Sequence, residues 1–87
     1  MAYRVEVHRA AQRQILVLPR EAQVEVARAI DCLEDNPKPV GCKFVRETGF
    51  WRIRVGRYRV VYVIDDEAKL IAVVKVAIRR EDTYRGV

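Results

Sequence analysis

Hydrophobic and polar positions alternate most clearly from Phe50 to Ile64, where two β-branched and aromatic runs flank Gly56-Arg57. Glycine at the first loop position suits a two-residue type II′ hairpin, and a two-residue loop sets the register of the strands it joins. Val55 then faces Tyr58, Arg54 faces Arg59, Ile53 faces Val60, Arg52 faces Val61 and Trp51 faces Tyr62. Upstream, Tyr3 to Val7 alternates as a first strand, and Ala11, Ile15 and Leu18 recur at helical spacing before Pro19. Pro19 stands at or just before the first turn of a second helix, predicted from about Arg20 to Leu33 with Ala22, Val26, Ala29, Ile30 and Leu33 as its apolar stripe. Asn36 to Pro39 ends that helix, because each proline disfavours helical geometry in the residue before it. A short strand near Cys42 to Val45 leads into the hairpin. After a turn at Asp65 to Lys69, Leu70 to Ile78 is apolar except for Lys75, which predicts a central strand covered on both faces or nearly so. The order βααββββ predicts an α+β domain: an N-terminal strand, a two-helix hairpin, then a mostly antiparallel sheet with the helices on one face.

Composition narrows the class. The chain has 87 residues, 51% hydrophobic and 33% charged, which suits one small soluble domain spanning 1–87. No apolar run approaches the roughly 20 residues that span a bilayer, and no leader pattern opens the sequence, so the cytoplasm is the expected location. Cys32 and Cys42, with one histidine, fall short of a four-ligand zinc pattern and read as reduced structural thiols.

Charge changes the picture more. The formal net charge is +5, and the basic excess lies in the strand-rich half from residue 46 onward. On the predicted hairpin Trp51, Ile53, Val55, Tyr58, Val60 and Tyr62 share an apolar face, while Arg52, Arg54 and Arg59 share the other. Like charges directly opposite on a sheet repel, so Arg54 facing Arg59 is most simply explained by a polyanion lying across that face. Guanidinium binds phosphate bidentately and stacks on bases, which makes nucleic acid the natural partner, although an acidic protein would also suit the charge. Arg52 and Arg54 could also be the solvated side of an amphipathic strand. The apolar face assigns Trp51, Tyr58 and Tyr62 to the core, and His8 reads as a surface histidine at a strand end.

The element order, the segment from Trp51 to Tyr62 and the closing Arg79-Arg80-Glu81-Asp82-Thr83-Tyr84 resemble the RelE/ParE superfamily of bacterial and archaeal toxins, most closely its RelE-like mRNA interferases. The resemblance implies the RelE-like microbial RNase fold and the toxin half of a type II toxin–antitoxin pair. RelE-like members cut mRNA in the ribosomal A site; ParE-like members inhibit DNA gyrase without cutting RNA. By that resemblance Arg52 and Arg54 match the basic strand positions that hold the substrate backbone, and Arg59 the arginine at the scissile phosphate. Arg79 or Arg80 matches the arginine past the last strand, and Tyr84 the C-terminal tyrosine near the reacting nucleotide. Arg57, Arg80, Lys43 and Arg46 join them as RNA-binding candidates. Many relatives carry Gly-His where this chain has Ala77-Ile78, so a histidine acid or base is absent there. The resemblance implies no cofactor and no metal. It does imply a cognate antitoxin, acidic and partly disordered, with mRNA and the 30S A site as further partners. A gyrase inhibitor and a degenerate antitoxin-binding module are the alternative readings.

Attack by a ribose 2′-OH on the adjacent phosphate requires in-line positioning, stabilisation of negative charge and two proton transfers. Arginines supply the second but not the third, because guanidinium does not deprotonate in proteins. Tyr84, Glu81 and Asp82 are the titratable candidates in that part of the chain, and Tyr84 needs a lowered pKa to act as a base.

Overall fold

The computed structural model describes residues 3–78. Within them the chain runs β1 (Arg4–Val7), α1 (Arg9–Leu16), α2 (Arg20–Cys32), β2 (Lys43–Val45), β3 (Phe50–Val55), β4 (Tyr58–Asp65) and β5 (Leu70–Ile78). The strands form one sheet in the order β1-β5-β4-β3-β2, with β1 parallel to β5 and every other pair antiparallel. The architecture is therefore α+β, a helix pair on a mostly antiparallel sheet.

Local chemistry accounts for most boundaries. Pro19 caps α2, where its missing N–H is not needed, and Glu21 sits in the first turn, where a carboxylate complements the helix dipole. Gln23 Nε2 donates to the carbonyls of Leu16 (3.2 Å) and Leu18 (2.9 Å), which closes the sharp turn between the helices. Gly56 adopts φ +59° while Arg57 does not enter the positive region, the signature of a type II′ turn. The β3–β4 register is the one that turn dictates, from Val55↔Tyr58 to Trp51↔Tyr62.

The core forms where the helix stripes meet one face of the sheet: Ala11, Val26, Ile30 and Leu33 from the helices against Ile53, Tyr58, Val60, Tyr62, Ile71, Val73 and Val76. Each fully buried aliphatic side chain there contributes about 1.5–3 kcal/mol. Tyr62 is wholly buried, and its hydroxyl donates to the Pro37 carbonyl at 2.7 Å, which pins the segment after α2 across the sheet. At the other end of the sheet the Tyr3 hydroxyl donates to Asp66 Oδ1 (2.6 Å), tying the start of the chain to the β4–β5 turn.

β5 departs from the expected double cover. Its inner face is buried under the helices, but Ala72 and Val74 on the other side are only half-buried and Lys75 is exposed. A bulge explains the continuous apolar run. Tyr62 pairs with Val73 and Val61 with Lys75, leaving Val74 as an extra residue. The alternation slips by one there, so two adjacent valines precede a lysine that still points away from the core.

Candidate functional site

The face not covered by helices collects the cations. Lys43 is opposite Arg52, Arg52 is opposite Val61, and Val61 is opposite Lys75, giving a row across β2, β3, β4 and β5. The next row holds Arg54 opposite Arg59, with Ala77 beside Arg59. Strands lie about 4.8 Å apart, so these five cations occupy a patch only four strands wide and two rows deep. Lys43, Arg54 and Lys75 are exposed; Arg52 and Arg59 are half-buried. Among the described residues the only ion pair is Arg4–Glu6 at 3.2 Å, on β1 at the sheet's far edge, so no carboxylate neutralises Arg52 or Arg54. Arg59 is engaged in an interaction of its own, and the case for an unmet anion rests on the other four cations.

Two depressions mark this face. Lys43, Arg52, Arg54 and Arg59 line a shallow pit with Gly41. Beside it lies a hollow of about 450 Å³ lined by Val45, Thr48, Phe50, Val61 and Val74, with Arg52, Arg59 and Lys75 as its charged members. A groove of about 550 Å³ runs between α2 and β3, lined mainly by Ala29, Cys32, Pro39, Val40 and Ile53, and Arg54 and Lys43 reach its rim.

The structure thus brings Lys43, Arg52, Arg54 and Arg59 together as the sequence suggested. Arg46 and Arg57 are exposed in the turns at opposite ends of β3, a strand about 20 Å long, and cannot share one phosphate. Arg79, Arg80 and Tyr84 lie outside the described residues. Lys75 was not among the candidates. Its signal was the lone charge in an apolar run, but only the bulge shows which face it takes. His8 is exposed at the start of α1, and Tyr58 and Tyr62 are core residues. Trp51 is half-buried, with Phe44 at 5.0 Å and Lys38 Nζ over its ring at 5.0 Å. Burial pushes the Tyr62 phenol well above its ordinary pKa, aided by the neighbouring Cys42, which removes it as an acid or base at neutral pH.

Chemically, the patch can bind phosphates and stabilise negative charge developing on them. Among the described residues no histidine or carboxylate stands in its rows, and no cluster of His, Cys, Asp and Glu could hold a metal ion. No helix among the described residues is long and apolar enough to cross a membrane.

Residues 5–83 match the family described as the ParE toxin of the type II toxin–antitoxin system parDE. A RelE1 protein of Methanocaldococcus jannaschii is 28% identical over 90 residues, covering 99% of both chains. The archaeal RelE–RelB complex of Pyrococcus horikoshii contains a chain 29% identical to this one, with a TM-score of 0.83, covering 93% of this chain and 99% of that one. The RelBE2 toxin–antitoxin complex of Mycobacterium tuberculosis contains another at 28% identity and a TM-score of 0.81, covering 91% of this chain and 100% of that one.

Proposed function

This chain belongs to the ParE toxin family of type II toxin–antitoxin systems, and from that premise we propose that it is a metal-independent endoribonuclease of the RelE type, which cleaves mRNA in the ribosomal A site and inhibits translation in the cytoplasm. The observation that carries this reading is the convergence of Lys43, Arg52, Arg54, Arg59 and Lys75 on the sheet face opposite the helices. In the proposed reaction Arg52 and Arg54 hold the RNA backbone, and Arg59 stabilises the charge that builds on the scissile phosphate as the 2′-OH attacks. Removing one such stabiliser costs about 10²–10³-fold in rate. Proton transfer is the part this patch does not supply, and we assign it to Tyr84, assisted by Arg79 or Arg80. An enzyme with so little acid–base equipment works through positioning, which is why the ribosome belongs in the proposal. Its second partner is an acidic antitoxin that covers the basic face and folds as it binds, in keeping with the RelB-bound state of the solved relatives.

The family model is named for ParE, and gyrase inhibition is the competing activity. Induced expression with mapping of mRNA 5′ ends separates them. The expected result is growth arrest with cuts inside translated codons, both abolished by Arg59→Ala. Arrest with intact transcripts and broken chromosomes would move the target to gyrase.

A further inference from the structure

The hollow beside the arginines has a lining that phosphate binding alone does not require. Val45, Phe50, Val61 and Val74 supply apolar surface, and among the described residues its only charged members are the cations Arg52, Arg59 and Lys75, with no carboxylate. Its volume of about 450 Å³ falls in the range of pockets that take small ligands, about 300–1,000 Å³. We propose that this hollow is a nucleobase subsite, in which one base of single-stranded RNA lies against the Phe50 ring while Arg52 and Lys75 hold the adjoining phosphates. The proposal rests on the reading of RNA as substrate and adds to it a site for the base.

Two features support it. The backbone that carries Phe50 is held before any ligand arrives: its N–H donates to Thr48 Oγ1 at 3.2 Å, and the Val45 carbonyl accepts from Thr48 N (3.2 Å) and Gly49 N (2.8 Å). A ring carried on a backbone already ordered by its turn has only its own side-chain rotations to lose on binding. The bulge at Val74 then places Lys75 on this face, opposite Val61 and in the row of Arg52. An occupant apolar in one part and anionic in the next suits this lining, a description that nucleotides meet. Stacking on an aromatic ring tolerates any base, so the subsite would strengthen binding without imposing a sequence.

The test uses the full chain and a short single-stranded RNA made uncleavable by 2′-O-methylation, beside the same strand with one abasic nucleotide. Fluorescence anisotropy should show wild type binding the abasic strand about 10-fold more weakly. Phe50→Ala should bind the intact strand about 10-fold more weakly and show no further abasic penalty. Phe50→Leu keeps the apolar volume as a control for folding and should also lose the penalty. Lys75→Ala should keep the penalty but lower the salt slope by about 0.7. An abasic penalty that is absent in wild type, or equal in wild type and both Phe50 variants, would overturn the subsite alone. Failure of wild type to bind either strand in a salt-dependent way would overturn the RNA reading itself. Unchanged RNA binding by Phe50→Ala together with weakened antitoxin binding would assign the hollow to an apolar side chain of the partner, and so overturn the proposal.

Discussion

Gln14→Leu tests how the sheet is finished where its edge strand runs out. β1 pairs with β5 only as far as Val7↔Val73, after which His8 N donates to the Val73 carbonyl at 2.9 Å and the chain turns into α1. β5 continues five residues further, to Ile78, with no strand among the described residues on that side. Val76 is 3% exposed, and its N–H donates to Gln14 Oε1 at 2.7 Å, so a side chain of α1 stands in for the missing strand. Leucine fills similar volume without an acceptor and leaves that amide buried and unpaired. The expected cost is about 1–3 kcal/mol, out of the 5–15 kcal/mol typical of a small domain. At roughly 4–8 °C per kcal/mol, Tm should fall by about 5–20 °C. Gln14→Glu keeps a carboxylate acceptor at the same reach and should retain most of the stability at neutral pH. Urea unfolding followed by Trp51, the single tryptophan, measures the loss. Hydrogen exchange at the Val76 amide localises it. A Gln14→Leu chain within about 0.5 kcal/mol of wild type, or a Gln14→Glu chain as damaged as Gln14→Leu, would refute the argument.

Further outcomes can be checked with the same methods. Gly56→Ala puts a side chain at φ +59°, where its Cβ would also meet Glu25 Oε1 at 3.3 Å; the backbone strain should cost about 1–2 kcal/mol, read as a lower urea midpoint. Tyr62→Phe removes the hydrogen bond to the Pro37 carbonyl and should cost about 1 kcal/mol at pH 7. The folded state raises the Tyr62 pKa, so that residue's contribution is complete below about pH 10 and declines above it as the unfolded chain ionises. Tyr62→Phe should therefore flatten the alkaline loss of stability seen in urea titrations at rising pH. Arg54→Glu places a carboxylate opposite Arg59; it should hold or raise stability, by about 0.2–1 kcal/mol, while abolishing transcript cleavage in the induced-expression assay.

Local signals made much of this fold legible in the sequence. Gly56 and Arg57 with the alternating residues around them predicted the β3–β4 register pair by pair, because a two-residue loop leaves no freedom in what faces what. Pro19 and the stripe through Val26 and Ile30 located α2, because proline marks a first turn and the helical spacing marks the buried face. The strand Leu70–Ile78 was found with its bounds, but its exposure was misjudged, since a bulge makes a one-sided strand look like a two-sided one. Contacts such as Tyr62 to Pro37 and Gln14 to Val76 join residues 25 and 62 positions apart, and no periodicity announces them. Within the site, Arg52, Arg54 and Arg59 were legible because the hairpin brings them together. Lys75 depended on a pairing slip in a different strand pair.

That slip has a consequence for how the chain can change length. In a regular ladder Val61 would face Val74, and Lys75 would be driven under the helices; the extra residue spares it that burial. Losing the codon for Val74, or that for the identical Val73, would merely straighten β5 and leave every remaining side chain on its present face, whereas a deletion nearer either end of the strand would turn the residues between it and the bulge inside out. Single-residue deletions in this lineage should therefore be tolerated around position 74 and purged farther along β5.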